Sequence, residues 1–418
     1  MHALVVGAGV VGVCTAWWLR ERGFDVTVIE RRGGVAEETS YGNAGVIAPG
    51  YATPWAAPGM PRKVLSYLFD AAAPVVLRPT LSPALWRWLG LWLRECELQR
   101  YRRNKSRMQR IAHYSREQLR LLTERLGIDY ERHPGYLQLF RGERDLRLAA
   151  PARALLEEAG VPHRMLSPDE VARLEPALER RTPLVAALYL PQDESGSCAA
   201  FTRSLKECCE RNGVRFVFYR QVERLLVAGG RVTGALVGGE PVAADATIVA
   251  AASDSVFLLE PIGIRLPLYP VKGYSLSAAM PDPRTGPQRA LIDEAYKVAI
   301  TPFRRRIRVA GTAELGNRDL TLSNAALRTL LKVAADWFPN AATYHSAQYW
   351  VGARPMLPDG PPVLGATPLP GLFLNVGHGS TGWAMACGSG RVVADIVGGQ
   401  LPEIDLEGLT IERYRRRS

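Results

Sequence analysis

The chain has 418 residues, of which 47% are hydrophobic and 22% charged, and this ordinary globular composition argues against intrinsic disorder. The formal net charge of +11 suits anionic substrates or lipids, whereas no nucleic-acid-binding motif is visible. The six cysteines include no Cys-x-x-Cys pair, so we expect neither a metal site nor a disulfide framework, and a reducing, cytoplasmic setting fits best.

The first thirty residues follow the pattern of a dinucleotide-binding βαβ unit. A buried strand is predicted at 3–7, an apolar helix from the following glycines to about residue 22, and a second strand at 26–29. The three glycines permit a tight turn, a close approach of the backbone to a pyrophosphate, and close helix packing, in that order. The acid that ends the second strand is placed to bind a ribose hydroxyl, which argues against NADP. The predicted nucleotide ligands are Gly7, Gly9, Val10, Val11, Gly12, Glu30 and Arg31.

A small, polar, glycine-rich segment follows at 39–45. Such a segment can wrap a second face of a diphosphate and approach a flat ring closely. The alternative is a plain surface loop.

A helix rich in tryptophan is predicted to begin at Ser82 and Pro83, which form a good cap and first position. A tryptophan-bearing helix with a basic flank can lie on an anionic membrane surface, and it can equally be a core helix with a solvated basic face. The residues concerned are Leu85, Trp86, Trp88, Leu89, Trp92, Leu93 and Cys96, then Arg94, Arg100, Arg102, Arg103, Lys105, Arg107 and Arg110.

Two later segments complete a nucleotide site. A third strand is predicted at 246–253, beside the adenosine half, with Ala251 at its end. Near the C-terminus a strand, a glycine-rich turn and a helix follow one another, and the turn contributes Gly377, Gly379, Ser380, Thr381 and Gly382. This geometry aims helix amides at an anion and suits the N1/O2 edge of a reduced flavin, so it favours FAD over NAD.

Five segments, at 38–59, 269–276, 294–303, 349–365 and 372–390, together resemble bacterial D-amino acid dehydrogenases. These are FAD flavoproteins of the D-amino-acid oxidase and glycine-oxidase superfamily. The resemblance implies an α/β fold, with a Rossmann-like FAD-binding domain interleaved with an α+β substrate domain built on a large antiparallel sheet. The expected FAD domain is 1–60, 186–255 and 340–418, and the substrate domain is 61–185 and 256–339.

The resemblance also assigns residues. It implies FAD contacts from Thr39, Ser40, Asn43, Ala44, Gly45 and Val222. Where the family usually has a glycine after the third strand, this chain has Ala252. Arg354, in the GARP block, would hold the substrate carboxylate, for which a guanidinium is the natural bidentate partner. The alternative for Arg354 is a surface residue in a structural ion pair.

The reaction implied is oxidation of a D-amino acid at Cα by hydride transfer to flavin N5, followed by hydrolysis of the imino acid to a 2-oxo acid and ammonia. The electrons would pass to a quinone or another acceptor, which favours peripheral attachment to the inner face of the cell membrane. The alternatives are a D-hydroxyproline or other cyclic-amine dehydrogenase, an oxygen-using oxidase, and a non-catalytic NAD-binding protein.

Further pocket candidates are weighed against ordinary core packing. His378 lies in the C-terminal glycine turn and can touch flavin or substrate. Tyr274 and Lys272 are candidates for the substrate side of the flavin. Tyr51 and Trp55 follow the 39–45 segment directly, and aromatic residues there can exclude water from a pocket.

Overall fold

The fold is built from three sheets, of six, ten and three strands, and helices pack against the two larger sheets. It was obtained as a computed structural model, which describes residues 1–67, 74–78, 80–316 and 319–414. The strands of these residues are β1 His2–Val6, β2 Asp25–Ile29, β3 Val46–Ile47, β4 Val75–Leu77, β5 His133–Phe140, β6 Arg164–Leu166, β7 Ala186–Ser195, β8 Arg215–Val217, β9 Val222–Ala228, β10 Arg231–Val237, β11 Glu240–Ala243, β12 Ala246–Val249, β13 Tyr269–Ala279, β14 Ala290–Asp293, β15 Val298–Phe303, β16 Arg306–Leu315, β17 Gln348–Met356, β18 Val363–Ala366 and β19 Leu372–Val376. The helices are α1 Val10–Glu21, α2 Met60–Tyr67, α3 Pro83–Glu95, α4 Leu98–Leu126, α5 Glu143–Glu158, α6 Pro168–Leu174, α7 Cys198–Arg211, α8 Ser255–Leu259, α9 Asn324–Trp337 and α10 Gly382–Val397.

The first sheet has the order β18-β19-β12-β1-β2-β8 and is parallel except for the β18–β19 pair. Its central strands are almost wholly buried, because α1, α7 and α10 cover one face and the three-stranded sheet β11-β10-β9 covers the other. The strands predicted at 3–7 and 26–29 are confirmed within a residue, and the helix between them ends one residue before the predicted position. The strand predicted at 246–253 stops at Val249, and the residues after it form a turn.

The second large sheet has ten strands, with the path β17-β13-β16-β15-β14-β5-β7-β3 and with β4 and β6 attached to β16 and β7. Most pairs are antiparallel, and the exceptions are β5–β14 and β4–β16. The predicted fold class is therefore confirmed. Strands β7 and β17 belong to this sheet although they lie within ranges assigned to the FAD domain, and the domain boundaries stay a prediction.

The tryptophan-rich helix α3 begins as predicted, since Ser82 accepts a hydrogen bond from the Leu85 amide. Its inner face is core, because Leu85, Trp88 and Trp92 are buried. Its outer face exposes 56% of Trp86 and 52% of Leu93. The inner face of α3 therefore belongs to the core, as one of the two interpretations predicted. The outer face exposes two large apolar side chains to solvent.

Most of the basic residues that follow α3 lie on a separate helix, α4, where several are bound within the protein. Arg100 pairs with Glu95, and Arg107 and Arg110 pair with Glu407 and Asp405 near the C-terminus. These charges are therefore partly committed to holding the fold. Among the helices of the described residues, none combines the length and the apolarity that crossing a membrane requires.

Candidate functional site

Two glycines in the turn after β1, Gly7 and Gly12, have no room for a side chain. Gly7 has φ +104°, and a Cβ there would stand 2.8 Å from the Ala250 carbonyl oxygen. A Cβ on Gly12 would stand 1.9 Å from the carbonyl oxygen of Gly7. At Gly9 the nearest atom is the Ser40 hydroxyl, which also accepts a hydrogen bond from the Val10 amide at 3.1 Å. The amide of Val11 has no acceptor among the described residues, so the start of α1 presents a free N–H donor to an anion.

A cavity of about 360 Å³ opens at the carboxyl ends of β1, β2 and β12. The Glu30 carboxylate lines it and accepts hydrogen bonds from the Ala8 and Arg32 amides, both at 2.8 Å. These bonds fix the carboxylate and leave lone pairs for a hydroxyl of a ribose. Val222, Ala251, Thr39 and Ser40 lie in the same wall. Arg31 stands at the exposed rim, where it pairs with Glu38 and Asp254.

The residue that departs from the family pattern, Ala252, also lines this cavity. Its φ is +47°, in the left-handed region that favours glycine. The usual glycine is thus explained by backbone conformation, and the alanine is held there under strain.

The 39–45 segment crosses one face of the ten-stranded sheet. The Thr39 hydroxyl donates to the Ala353 carbonyl, and a Cβ on Gly42 would overlap the Trp350 ring. Asn43 accepts a hydrogen bond from the Gly45 amide at 2.7 Å, and the half-buried Ala44 lies between them. The segment is therefore fixed at both ends and is not a plain surface loop.

The C-terminal glycine turn lies beside β17. Gly377 and Gly379 have φ +82° and +57°, and His378 pairs through its backbone with Met356, two residues beyond Arg354. Thr381 precedes α10 without a side-chain capping bond, because its hydroxyl donates to the His378 carbonyl. The first amides of α10, from Gly382 onward, are therefore not capped by that side chain. Ser380 is exposed in the same turn.

The His378 ring is buried and hydrogen-bonded within the protein. It is 4% exposed, and its Nε2 lies 3.0 Å from the Ser389 hydroxyl. Burial lowers the pKa of His378 to about 3, so the ring is neutral at physiological pH. Its geometry is that of a residue fixing the glycine turn to α10.

Arg354 has the surroundings expected of a carboxylate-binding residue. Its Nη1 donates to the carbonyls of Lys272 and Thr312, both at 3.1 Å, and its Nη2 donates to Gly311 at 3.3 Å. These bonds use three of the five guanidinium N–H groups. Arg354 has no ion pair among the described residues, and burial lowers its pKa to about 10, which leaves it charged at neutral pH.

Three residues that the sequence analysis did not identify fix the position of the Arg354 guanidinium: Gly273, Gly311 and Thr312. A Cβ on Gly273 would lie 2.3 Å from the Arg354 Cζ, so the missing side chain is the space that the guanidinium fills. The register of β13 against β16 shifts at this point, which makes Thr312 the extra residue of a β-bulge with φ +50°. The bulge directs the Gly311 and Thr312 carbonyls at Arg354. The isolated glycine within the family-like segment 269–276 was the available signal, because a glycine inside a strand often marks a close approach of another group.

The aromatic and basic candidates divide between two faces of the sheet. The Trp55 ring centroid lies 5.9 Å from the Arg354 Cζ, so Trp55 belongs to the site. Lys272 and Tyr274 flank Gly273, and because alternate strand residues face opposite sides, they point away from Arg354. There Tyr274 donates to Glu314 at 2.9 Å and Lys272 pairs with the same carboxylate at 3.2 Å. Neither is among the residues that the structure brings to the site.

Tyr51 packs elsewhere. Its ring lies 5.5 Å from that of Tyr136, in a cluster with β5 and β14. Burial raises the pKa of Tyr51, with Glu294 adding to the effect. No contact joins it to Arg354 among the described residues.

Comparison with known proteins adds a family and a set of similar folds. Residues 2–396 match the sequence profile of the family described as DAO, FAD dependent oxidoreductase. The crystal structure of glycine oxidase from Geobacillus kaustophilus is similar with a TM-score of 0.76 and 23% identity, covering 100% of this chain and 98% of that one. L-proline dehydrogenase from P. horikoshii gives 0.78 and 19%, covering 99% and 98%, and iminodiacetate oxidase from Chelativorans sp. BNC1 gives 0.72 and 21%, covering 98% of each. At these identities the structures establish a shared fold.

The residues present fit FAD. Gly7 and Gly12 keep the turn after β1 clear of side chains, the Val11 amide has no acceptor among the described residues and can bind a phosphate, and the Glu30 carboxylate is fixed by two backbone amides at the cavity wall. The left-handed glycines before α10 supply a second amide-rich turn beside Arg354. The helices that follow the two glycine turns, α1 and α10, pack against each other.

Proposed function

The chain belongs to the FAD-dependent oxidoreductase family, and from that premise we propose that it oxidises D-amino acids to 2-oxo acids and ammonia, with a quinone or another carrier as electron acceptor. The observation that carries this proposal is Arg354, a largely buried guanidinium that is bound by carbonyls and has no acidic partner among the described residues. A buried cation in this state is stabilised by an incoming carboxylate.

Each residue of the site has a part that follows from its position. Arg354 binds the substrate carboxylate with the N–H groups that the carbonyls leave free, which fixes the orientation of Cα. Trp55 covers the guanidinium and excludes water from the ion pair. FAD, when bound, supplies the two-electron acceptor. His378 and Tyr274 are hydrogen-bonded to Ser389 and Glu314, and we infer that the substrate amine enters unprotonated.

The preference for D-amino acids rests on the sequence resemblance. A cyclic amino acid is the second candidate, and an L-proline dehydrogenase is among the similar folds. Oxygen in place of a quinone is the third alternative, since oxidases share the fold as well.

One experiment separates these possibilities. The flavin-loaded enzyme is assayed with D-amino acids, their L-enantiomers and D-prolines, with a soluble quinone or oxygen as acceptor. We expect turnover of D-enantiomers with the quinone, and Arg354→Ala should raise KM strongly while flavin stays bound. Arg354→Lys is the matched control, because it keeps the charge and loses the bidentate fork. A colourless, folded protein that binds NAD would contradict the proposal, as would an Arg354→Ala variant with unchanged kinetics.

A membrane contact would bring the enzyme to a lipid-soluble quinone, and we propose the outer face of α3 for it. Trp86 and Leu93 are exposed one above the other there, and Arg87 and Arg94 flank them. Exposed apolar residues beside basic ones suit an anionic lipid surface.

Sedimentation with vesicles tests this contact. The enzyme should bind phosphatidylglycerol vesicles and not phosphatidylcholine vesicles, and the double variant Trp86→Ala, Leu93→Ala should lose the binding. Leu121→Ala, which removes a leucine that is 57% exposed on α4, is the control. Equal binding of the double variant would eliminate α3 as the contact.

A further inference from the structure

A second cavity, of about 320 Å³, lies at the opposite end of β17 from Arg354. Gln348, at the start of β17, is in its lining, and Arg354 lies six residues further along the strand, or roughly 20 Å away. Tyr41 and Asn43 of the 39–45 segment form part of the cavity wall, and Ser40 lines both this cavity and the nucleotide cavity. This cavity is therefore distinct from the carboxylate-binding site.

The lining of the cavity is basic. It includes Arg203, Arg306 and Arg308, and it includes no aspartate or glutamate. Arg306 pairs with Glu131 at 3.1 Å, so its charge is compensated. Arg203 is exposed on α7 and has no ion pair among the described residues. Two positive charges thus face the cavity without a counter-charge.

Arg308 is the deepest of these cations, with only 6% of its surface exposed. Its Nε donates to the Ser277 hydroxyl at 2.7 Å, and its Nη1 donates to the carbonyls of Tyr41 and Asn43. Its Nη2 has no acceptor among the described residues. Burial, reinforced by the nearby Arg306, lowers the pKa of Arg308 to about 10. Burial without a counter-charge therefore destabilises the Arg308 cation, and its Nη2 retains free N–H groups.

The N-terminus of the 14-residue helix α7 opens into the same space, where Ser197, Cys198 and Ala199 line the wall. The Ser197 hydroxyl accepts from the Ala200 amide, which leaves the amides of Cys198 and Ala199 without an acceptor among the described residues. Free amides at a helix start carry partial positive charge and bind anions. The helix end and the unpaired guanidinium are independent features directed at one volume.

We propose that this cavity binds a phosphate dianion, either free or as a monoester of a small metabolite. Two guanidinium groups and two helix amides supply the donors that phosphate oxygens take, and the planar fork of arginine matches them. The cavity has room for more than the phosphate group itself. Bound phosphate would remove the cost of the unpaired Arg308 charge and leave its bonds to the 39–45 segment intact.

Calorimetric titration of the FAD-loaded enzyme tests the site. Inorganic phosphate and glucose 6-phosphate are titrated separately, with ionic strength held constant by chloride. We expect saturable binding of one phosphate group per chain. Arg203→Ala should weaken it about tenfold through loss of a charge-assisted hydrogen bond. Gln348→Glu, which changes charge and not size, should weaken it by at least as much. Arg211→Ala removes the same charge from the other end of α7 and should leave the affinity unchanged.

The outcomes separate the sources of the ligand and can overturn the proposal. Equal affinity for both probes identifies the free ion, and tighter binding of the ester identifies a metabolite. The proposal is refuted if neither probe shows saturable binding, or if Gln348→Glu binds as wild type does. Binding seen solely in the FAD-free protein would also refute it, because the phosphate would then occupy the FAD pyrophosphate position.

Discussion

Substitution of Gly273 by alanine should disable the carboxylate-binding residue without unfolding the protein. The new Cβ would stand 2.3 Å from Cζ, 2.4 Å from Nη2 and 2.5 Å from Nη1 of Arg354. These atoms are the far end of a flexible side chain, so the guanidinium rather than the sheet must move. When it moves, the guanidinium loses its hydrogen bonds to the carbonyls of Lys272, Thr312 and Gly311 and with them its orientation.

The expected loss follows from the two hydrogen bonds of a bidentate carboxylate. At about 1.5 kcal/mol each, their loss removes about 3 kcal/mol of transition-state stabilisation, on the order of 100-fold in kcat/KM. Steady-state kinetics with the best D-amino acid measures this ratio, and flavin absorbance checks that the cofactor stays bound.

Gly90→Ala is the matched control, since no atom lies within 4 Å of a Cβ placed on that helical glycine. It should leave kcat/KM unchanged and stabilise α3 by up to about 1 kcal/mol. If Gly273→Ala retains wild-type kcat/KM while Arg354→Ala does not, the position derived for the guanidinium is wrong. If both variants are normal, Arg354 does not bind the substrate.

Three further predictions concern the cofactor site and the fold. Ala252→Gly should raise the free energy of unfolding by about 1 kcal/mol, because it relieves the left-handed backbone at φ +47°, and denaturant titration measures it. Gly9→Val should abolish flavin retention on gel filtration, because the side chain would occupy the space between the turn and Ser40 that the pyrophosphate needs. His378 has a folded-state pKa of about 3, below its unfolded value near 6.5, so the unfolded state binds more protons between these values. Its contribution to stability should therefore fall by up to about 1.4 kcal/mol per pH unit below pH 6.5, and a wild-type minus His378→Asn difference that is flat with pH would contradict this.

The nucleotide half of the site was predictable because its signals are local. The glycines at 7, 9 and 12 act within one turn, and the strand and helix that flank them have a single plausible pairing. Ala252 was noticed as a departure from a pattern, and its positive φ supplies the physical reason. Backbone requirements of this kind can be inferred from the residue types at the positions themselves.

The substrate half was not predictable to the same depth, because β13 is buried on both faces. Alternate residues of β13 face opposite sides of the sheet, so Lys272 and Tyr274 lie on one side and Gly273 on the other. Because the strand is buried on both sides, its sequence does not indicate which side holds the ligand. The bulge at Thr312 adds one residue to β16 alone, and it depends on the pairing of Tyr274 with Gly311, which are 37 residues apart in sequence. Ion pairs such as Arg107 with Glu407 likewise join residues that no local pattern connects.

Holding Arg354 with carbonyls instead of a carboxylate has a consequence for catalysis. An acidic partner would neutralise the guanidinium, and a substrate would then have to displace it. Three carbonyl dipoles fix the position and leave the net charge uncompensated, so under the proposed function the substrate carboxylate would provide the missing counter-charge. Part of the stabilisation for this arrangement must come from elsewhere, since the bulge holds Thr312 at φ +50° with its hydroxyl buried and unpaired. The strained bulge thus accompanies a guanidinium that is already oriented, and under the proposed function binding of the substrate carboxylate would relieve the electrostatic cost.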